Sequence, residues 1–134
     1  PREGRVSFND ALTTADIISV HCPLTDETRN QIAATELSMM KPSAIIINTA
    51  RGGIINEADL ADALANNVIA GAGVDVLSKE PAEQKNPLAL YKGKNLLLTP
   101  HIAWASQESI VRLVNEIALN IQAFNQGEAR NRLV

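Results

Sequence analysis

Four short apolar runs set the rhythm of the chain, and each ends in polar residues. They are Asp16-Ile17-Ile18-Ser19-Val20-His21, Ala44-Ile45-Ile46-Ile47-Asn48, Ala70-Gly71-Ala72-Gly73-Val74-Asp75-Val76 and Leu96-Leu97-Leu98-Thr99. Runs of this length, β-branched in the first two, predict buried strands. Pro23 and Pro100 stop two of them, because proline has no N–H for a central ladder. Helical spacing fills the gaps. Asp26 to Arg29 predicts a short turn, and Thr35 is placed to cap a helix holding Glu36, Leu37, Met39 and Met40 before Pro42. Asn56 predicts an N-cap with Asp59 at the third helical position, then Leu60, Ala63 and Leu64 on one face, closed by Asn66-Asn67. Ser106 predicts the cap of a last helix whose stripe is Ile110, Leu113, Val114, Ile117, Ala118, Ile121 and Phe124. Gly127 ends it. At the head, Arg5-Val6-Ser7-Phe8 reads either as a short edge strand or as a Ser7 cap on a helix through Leu12 and Thr13. Residues 78–95 form a charged, Pro- and Asn-containing loop, long enough to be functional or disordered. The order β-α-β-α-β-loop-β-α predicts an α/β fold, a parallel sheet with helices on both faces.

Parallel strands bring their carboxyl ends to one edge, where sheets of this kind put their ligands. His21, Arg51, Asp75 and His101 all fall there, and Glu80 comes within reach of it. Arg51 sits in Asn48-Thr49-Ala50-Arg51-Gly52-Gly53, between a strand and a helix start. Arginine binds a carboxylate with a planar fork. Histidine exchanges protons near neutral pH, and a neighbouring carboxylate favours its imidazolium and fixes its ring. The set suggests redox or proton chemistry on a small carboxylic acid. Each member also has a plainer reading. Arg51 and His101 could be ordinary loop residues, Asp75 a turn cap, and Glu83 a substitute for Glu80. His21 suits a strand end better than catalysis. A Cys22–His21 dyad is rejected, since neighbours on a strand point to opposite faces. Trp104 is either an anchor to another domain or a cover for the last helix.

Composition narrows the classes. The 134 residues suit one domain, and 46% apolar against 3% aromatic content requires a core of Ile, Leu, Val and Ala. A net charge of −3 offers no basic field for nucleic acid. Lys79, Lys85, Lys92 and Lys94 are interleaved with acids and prolines, as in a solvated loop. No apolar run approaches the roughly 20 residues of a membrane span, and no signal peptide is visible. A single cysteine fits a reducing cytoplasm. No metal-ligand set is assigned. The start at Pro1-Arg2-Glu3, without Met and with a polar lead, suggests a piece of a longer chain.

Several stretches together resemble the nucleotide-binding domain of the D-isomer-specific 2-hydroxyacid dehydrogenases. They are His21-Cys22-Pro23-Leu24-Thr25 with Thr28, Met40-Lys41-Pro42 to Gly53, Gly71 to Val76, Glu80-Pro81 and Thr99-Pro100-His101-Ile102-Ala103. The resemblance covers nearly the whole chain, in order. Ala103-Trp104-Ala105-Ser106 is most similar to the glycerate dehydrogenase (hydroxypyruvate reductase) branch. The resemblance implies reduction of 2-keto acids to D-2-hydroxy acids with NAD, NADP not excluded. Arg51 would bind the substrate carboxylate and polarise the C2 carbonyl, and His101 would protonate the carbonyl oxygen. Glu80 would hold His101 and favour its protonated form, and Asp75 would accept from the nicotinamide carboxamide. His21, Pro23, Leu24, Thr28, Thr49 and Ala50 would line the cofactor side, with Arg51, His101 and Ala103 near it. A homodimer is implied, since the family dimerises through this domain.

The departures are as informative. No Gly-x-Gly-x-x-Gly turn occurs in the chain, and in the family it and the NAD/NADP-selecting position would precede Pro1. Ala103 and Ser43 stand where glycine is frequent. The expectation is therefore the second half of a dinucleotide-binding domain over residues 1–134, with the last helix (about 106–125) leading back toward an absent substrate domain. Its outer face, including Val111 and Leu133, would be exposed. Such a piece would be inactive alone, and its first strand would have an unpaired edge inviting self-pairing, element swapping or disorder near residues 1–15. The rival reading is a partner-binding or regulatory module, as in corepressors of this fold. A folding remnant without function is the third.

Overall fold

The computed structural model describes residues 4–133. It divides after His101 into two compact units. Pro1, Arg2 and Glu3 lie outside the described residues. The first unit runs α1 (Phe8–Thr14), β1 (Ile17–Val20), α2 (Ala34–Met39), β2 (Ile45–Asn48), α3 (Glu57–Ala65), β3 (Gly71–Val74), α4 (Pro87–Leu90) and β4 (Leu96–Leu98). The four strands are parallel and stand in chain order, β1-β2-β3-β4. Right-handed crossovers between parallel neighbours that never reverse direction put their helices on one side. Consistently, α1 packs on α2, α2 on α3 and α3 on α4.

Burial follows the pleat. Val20, Ile46, Asn48, Ala72 and Val74 are buried, whereas Ile17 and Ile45 are exposed. Ile46 registers with Ile18 and Ala72, so the closed face is one continuous apolar surface against the helices. Leu12, Leu37, Leu60, Leu64 and Ile69 complete its core. Burying aliphatic side chains of this size stabilises by about 1.5–3 kcal/mol each. The second layer expected on the other face is not supplied by α1–α4. There Ile17, Ile45 and Leu97 remain 61%, 41% and 68% exposed.

Helix ends are set by identifiable side chains. At the head the helix reading holds: the Ser7 hydroxyl accepts from the Asp10 amide. The Thr35 cap does not form, because the helix starts earlier, at Ala34, with Ala33 as its boundary residue. Alanine has no side-chain acceptor, so neighbours satisfy the first amides. Glu36 reaches back to Ala33 N (3.0 Å), and Asp59 of α3 accepts from Ala34 N (3.0 Å). Asn56 caps α3 by accepting from Ala58 N and Asp59 N, both at 3.1 Å. Asn67 turns the chain away at φ 52°. The long loop carries a turn of its own: Asn86 caps α4, and Pro87 occupies a first-turn position.

The second unit contains α5 (Gln107–Asn125), capped by Ser106 and followed by Gly127 at φ +72°. Its stripe is not a core. Ile110, Leu113, Val114, Ile117, Ile121 and Phe124 are exposed, as are Val111 and Leu133, and Ala123 is the helix's buried residue. A single helix with its flanking turns has no second layer to bury an apolar stripe.

Candidate active site

The Arg51 loop hangs from Asn48, a buried polar residue at the end of β2. The Asn48 Oδ1 accepts from Ala50 N (3.1 Å), and its Nδ2 donates to Arg51 O (2.9 Å). Its backbone oxygen accepts from Asp75 N (2.9 Å). One residue therefore joins the β2 end, the Arg51 loop and the β3 end. Sequence reasoning counted Asn48 as a strand terminus and missed this role. The available signal was an amide closing a run of three isoleucines, at a depth where polar groups need partners.

Two glycines shape the remainder of this loop. Gly53 turns at φ +82°, and its carbonyl accepts from Asn30 N (2.7 Å). Gly52 lies directly against the chain after β3. A Cβ there would stand 1.9 Å from the Leu77 carbonyl carbon and 2.3 Å from Ser78 N. The loop carrying Arg51 and the loop leading to Glu80 thus touch backbone to backbone.

His101 is held from both ends. Its amide donates to Asp75 O (2.8 Å), with the backbone in the left-handed region at φ 55°. Its Nδ1 lies 2.7 Å from Glu80 Oε2. The other carboxylate oxygen of Glu80 accepts from Leu77 N (2.9 Å). The hydrogen bond to His101 is the main cause that holds the Glu80 carboxyl below its ordinary 4.5, with the Leu77 amide second; burial and Asp75 oppose them. Glu83, the alternative partner, instead pairs with Lys79. Asp75 is buried, and its Oδ1 accepts from Thr99 Oγ1 (2.5 Å).

Arg51, Glu80 and His101 line one cleft of about 250 Å³, floored by Gly52 and Leu77. Glu80, His101 and Asp75 line a larger neighbouring cleft of about 620 Å³. On the other side of Arg51, a cleft of about 560 Å³ is lined by His21, Pro23, Leu24, Thr49 and Ala50. Arg51 therefore stands at a boundary shared by two clefts. Its Nη1 donates to Ala50 O (2.7 Å), and among the described residues it pairs with no carboxylate.

The remaining predicted residues divide by role. The Thr28 hydroxyl donates to Pro23 O (2.7 Å) and accepts from Thr25 N (2.7 Å), which closes the turn presenting Pro23 and Leu24. Thr28 is absent from the lining of that cleft and shapes its wall from behind. The His21 Nε2 meets Ser19 Oγ at 2.8 Å, while Cys22 packs against the core, so the two side chains diverge. Ala103 belongs to the second unit, in a turn closed by Ala105 N to Ile102 O (2.9 Å). Among the described residues no His, Cys, Asp and Glu group could hold a metal ion, and no helix is long and apolar enough to cross a membrane.

A parallel sheet whose carboxyl edge carries these clefts defines a Rossmann-like α/β nucleotide-binding domain. Comparison with known proteins specifies it further. Residues 2–103 match the model of the D-isomer specific 2-hydroxyacid dehydrogenase NAD binding domain, and the chain belongs to that family. It is 45% identical over 131 residues to a glycerate dehydrogenase of Methylorubrum extorquens, covering 98% of this chain and 42% of that protein. A hydroxypyruvate reductase of Blautia hydrogenotrophica is 40% identical, over 94% of this chain and 38% of that protein. The D-lactate dehydrogenase of Lactobacillus jensenii, solved with NAD+, superposes with a TM-score of 0.84 at 31% identity, over 96% of this chain and 42% of that one. The chain spans about two fifths of the length of these relatives.

The Gly52 contact and the Glu80 carboxylate each make a measurable difference to stability. Gly52→Ala cannot fit a Cβ against the Leu77 backbone, and overpacking of this kind costs about 1–3 kcal/mol; denaturant melts should show the loss, and an unchanged midpoint would refute the contact. Because Glu80 titrates below its unfolded value, its charge stabilises the fold above pH 4.5, and the benefit is lost as pH falls through the depressed value. The stability difference between the native protein and Glu80→Gln should accordingly shrink on acidification in thermal melts; a difference that grows instead would contradict the sign.

Proposed function

We propose that the chain is the cofactor-binding and proton-donating part of an NAD(P)-dependent dehydrogenase that reduces 2-keto acids to D-2-hydroxy acids, with a glycerate/hydroxypyruvate-like substrate. The observation carrying this reading is the His101–Glu80 pair at 2.7 Å in the cleft that Arg51 also lines. Family membership and the relatives described above support it. Residues 1–134 would then be the second half of the dinucleotide-binding domain, with α5 leading toward a substrate domain.

The residues divide the work. Arg51 binds the substrate carboxylate, since a guanidinium fork gives two charge-assisted hydrogen bonds. A fixed carboxylate orients the adjacent C2 carbonyl. With His101 Nδ1 engaged by Glu80, the ring exchanges its proton through Nε2, and the reduced carbonyl oxygen takes that proton. Glu80 orients the ring through its contact with Nδ1. The nicotinamide, when bound, supplies the hydride to C2. His21, Pro23, Leu24, Thr49 and Ala50 would hold the cofactor on the far side of Arg51, with Thr28 shaping that wall. Asp75, buried beside His101, would accept from the carboxamide. The residues present fit a nicotinamide cofactor on the 560 Å³ cleft that Arg51 lines and the 250 Å³ cleft that Arg51 shares with His101. No Gly-x-Gly-x-x-Gly turn occurs in the 134 residues. By themselves they would have little or no turnover, since the catalysis depends on positioned reactants. The lone Cys22 is consistent with a cytoplasmic setting.

In the full-length protein, His101→Gln should lower kcat by about 10²–10⁴-fold, the usual contribution of a positioned acid. Arg51→Lys should act mainly on KM for the keto acid, because it keeps charge but loses the fork. Steady-state kinetics with hydroxypyruvate and NADH would measure both, and an unaltered turnover in His101→Gln would sink the assignment. A homodimer is also proposed, favoured by the position of β1 at the outer edge of the sheet. Light scattering at high concentration should report twice the chain mass; a monomer there would count against it.

A further inference from the structure

The proton-donating pair rests on a loop, and loops position side chains only as well as they are braced. Glu80 lies between β3 and β4. Glu57 is one of the residues that tie this segment to the rest of the unit. It is the first residue of α3, the helix that the Arg51 loop runs into. One carboxylate oxygen, Oε1, accepts from Ser78 N. The other, Oε2, accepts from Asn86 Nδ2 at 2.6 Å. Asn86 is buried, and its Oδ1 caps α4 through Leu88 N and Ala89 N. A single half-buried carboxylate therefore grips the Glu80 loop at two points, one on each side of Glu80.

We infer that Glu57 is a positioning residue for the His101–Glu80 pair, acting through the Leu77–Ser78 backbone and Asn86. The chain of contacts is continuous. Glu57 fixes Ser78, the Leu77–Ser78 peptide lies on Gly52, and Leu77 N donates to Glu80 Oε1. That leaves Glu80 Oε2 aimed at His101 Nδ1. Release of Ser78 removes one wall of this arrangement without touching the core beneath α3. Glu57 contacts none of the three residues assigned to chemistry, so its effect is indirect. It deepens the function proposed above and rests on that reading for its kinetic consequence.

The test is a swap of donor and acceptor in the full-length protein. Glu57→Gln retains an oxygen for Ser78 but points an amide at the Asn86 amide. Asn86→Asp opposes two carboxylates. The double variant Glu57→Gln/Asn86→Asp restores one donor and one acceptor and keeps the α4 cap. Each single variant should lower kcat for hydroxypyruvate reduction by about 10- to 100-fold, with KM changed less than about threefold. The double variant should recover to within about threefold of the native enzyme. A second readout needs no turnover. The Glu80 carboxyl, followed by carbon NMR against pH, should titrate higher in Glu57→Gln and return in the double variant, His101 and Asp75 being the titratable groups that face it. A Glu57→Gln protein with native kcat and native Glu80 titration would overturn the inference, as would a double variant no better than its parents. If the native protein reduced no 2-keto acid, the proposed function would fall, and the Glu80 titration alone would still decide for or against Glu57.

Discussion

Everything at the ligand edge depends on one backbone-to-backbone contact, that of Gly52 with Leu77 and Ser78. Two loops from adjacent strands meet there with no side chain between them. One carries Arg51 and the other leads to the carboxylate that pairs with His101. Asn48 fixes the first loop with two side-chain hydrogen bonds, and Glu57 fixes the second with two. The guanidinium and the imidazole line one small cleft above segments that lie closer together than a methyl group would allow.

The sheet explains why these segments are neighbours. Four parallel strands in chain order place every β-to-α connection at the same edge, so residues distant in sequence, from His21 to His101, come to one edge of the sheet. The order without reversal also explains the asymmetry of burial. Helices α1–α4 close one face, and the isoleucines of the other face remain open within the unit. The long loop after β3 fits the same logic, since the Asn86–Pro87 turn gives it an anchor in the core through Leu88.

Much of this was legible in the residues. The apolar runs and their polar ends located all four strands, and Asn56 and Ser106 marked helix starts as acceptors do wherever amides lack partners. The strand ends also located the residues that line the clefts, because parallel topology converts position in sequence into position on an edge. What escaped was tertiary. Thr35 looked like a cap, but the amides at that helix start are satisfied by Glu36 and Asp59, a partner 25 residues away. Asn48 and Glu57 looked like a strand end and a helix start, and only the folded chain shows the loops they hold. The stripe of α5 was readable as apolar, yet periodicity cannot tell a core from a face awaiting a neighbour. Between Glu80 and Glu83, only the fold chooses, by giving Glu83 to Lys79.

The left-handed backbone at His101 has a consequence for how this site can change over time. Asparagine and glycine adopt φ near +55° more comfortably than histidine, which holds it at a cost of order 1 kcal/mol or more. The position is therefore one where a more relaxed chain and a working acid demand different residues. Variants sorted for thermal survival alone would be drawn toward Asn or Gly at this position, and they would lose the imidazole as they gained robustness.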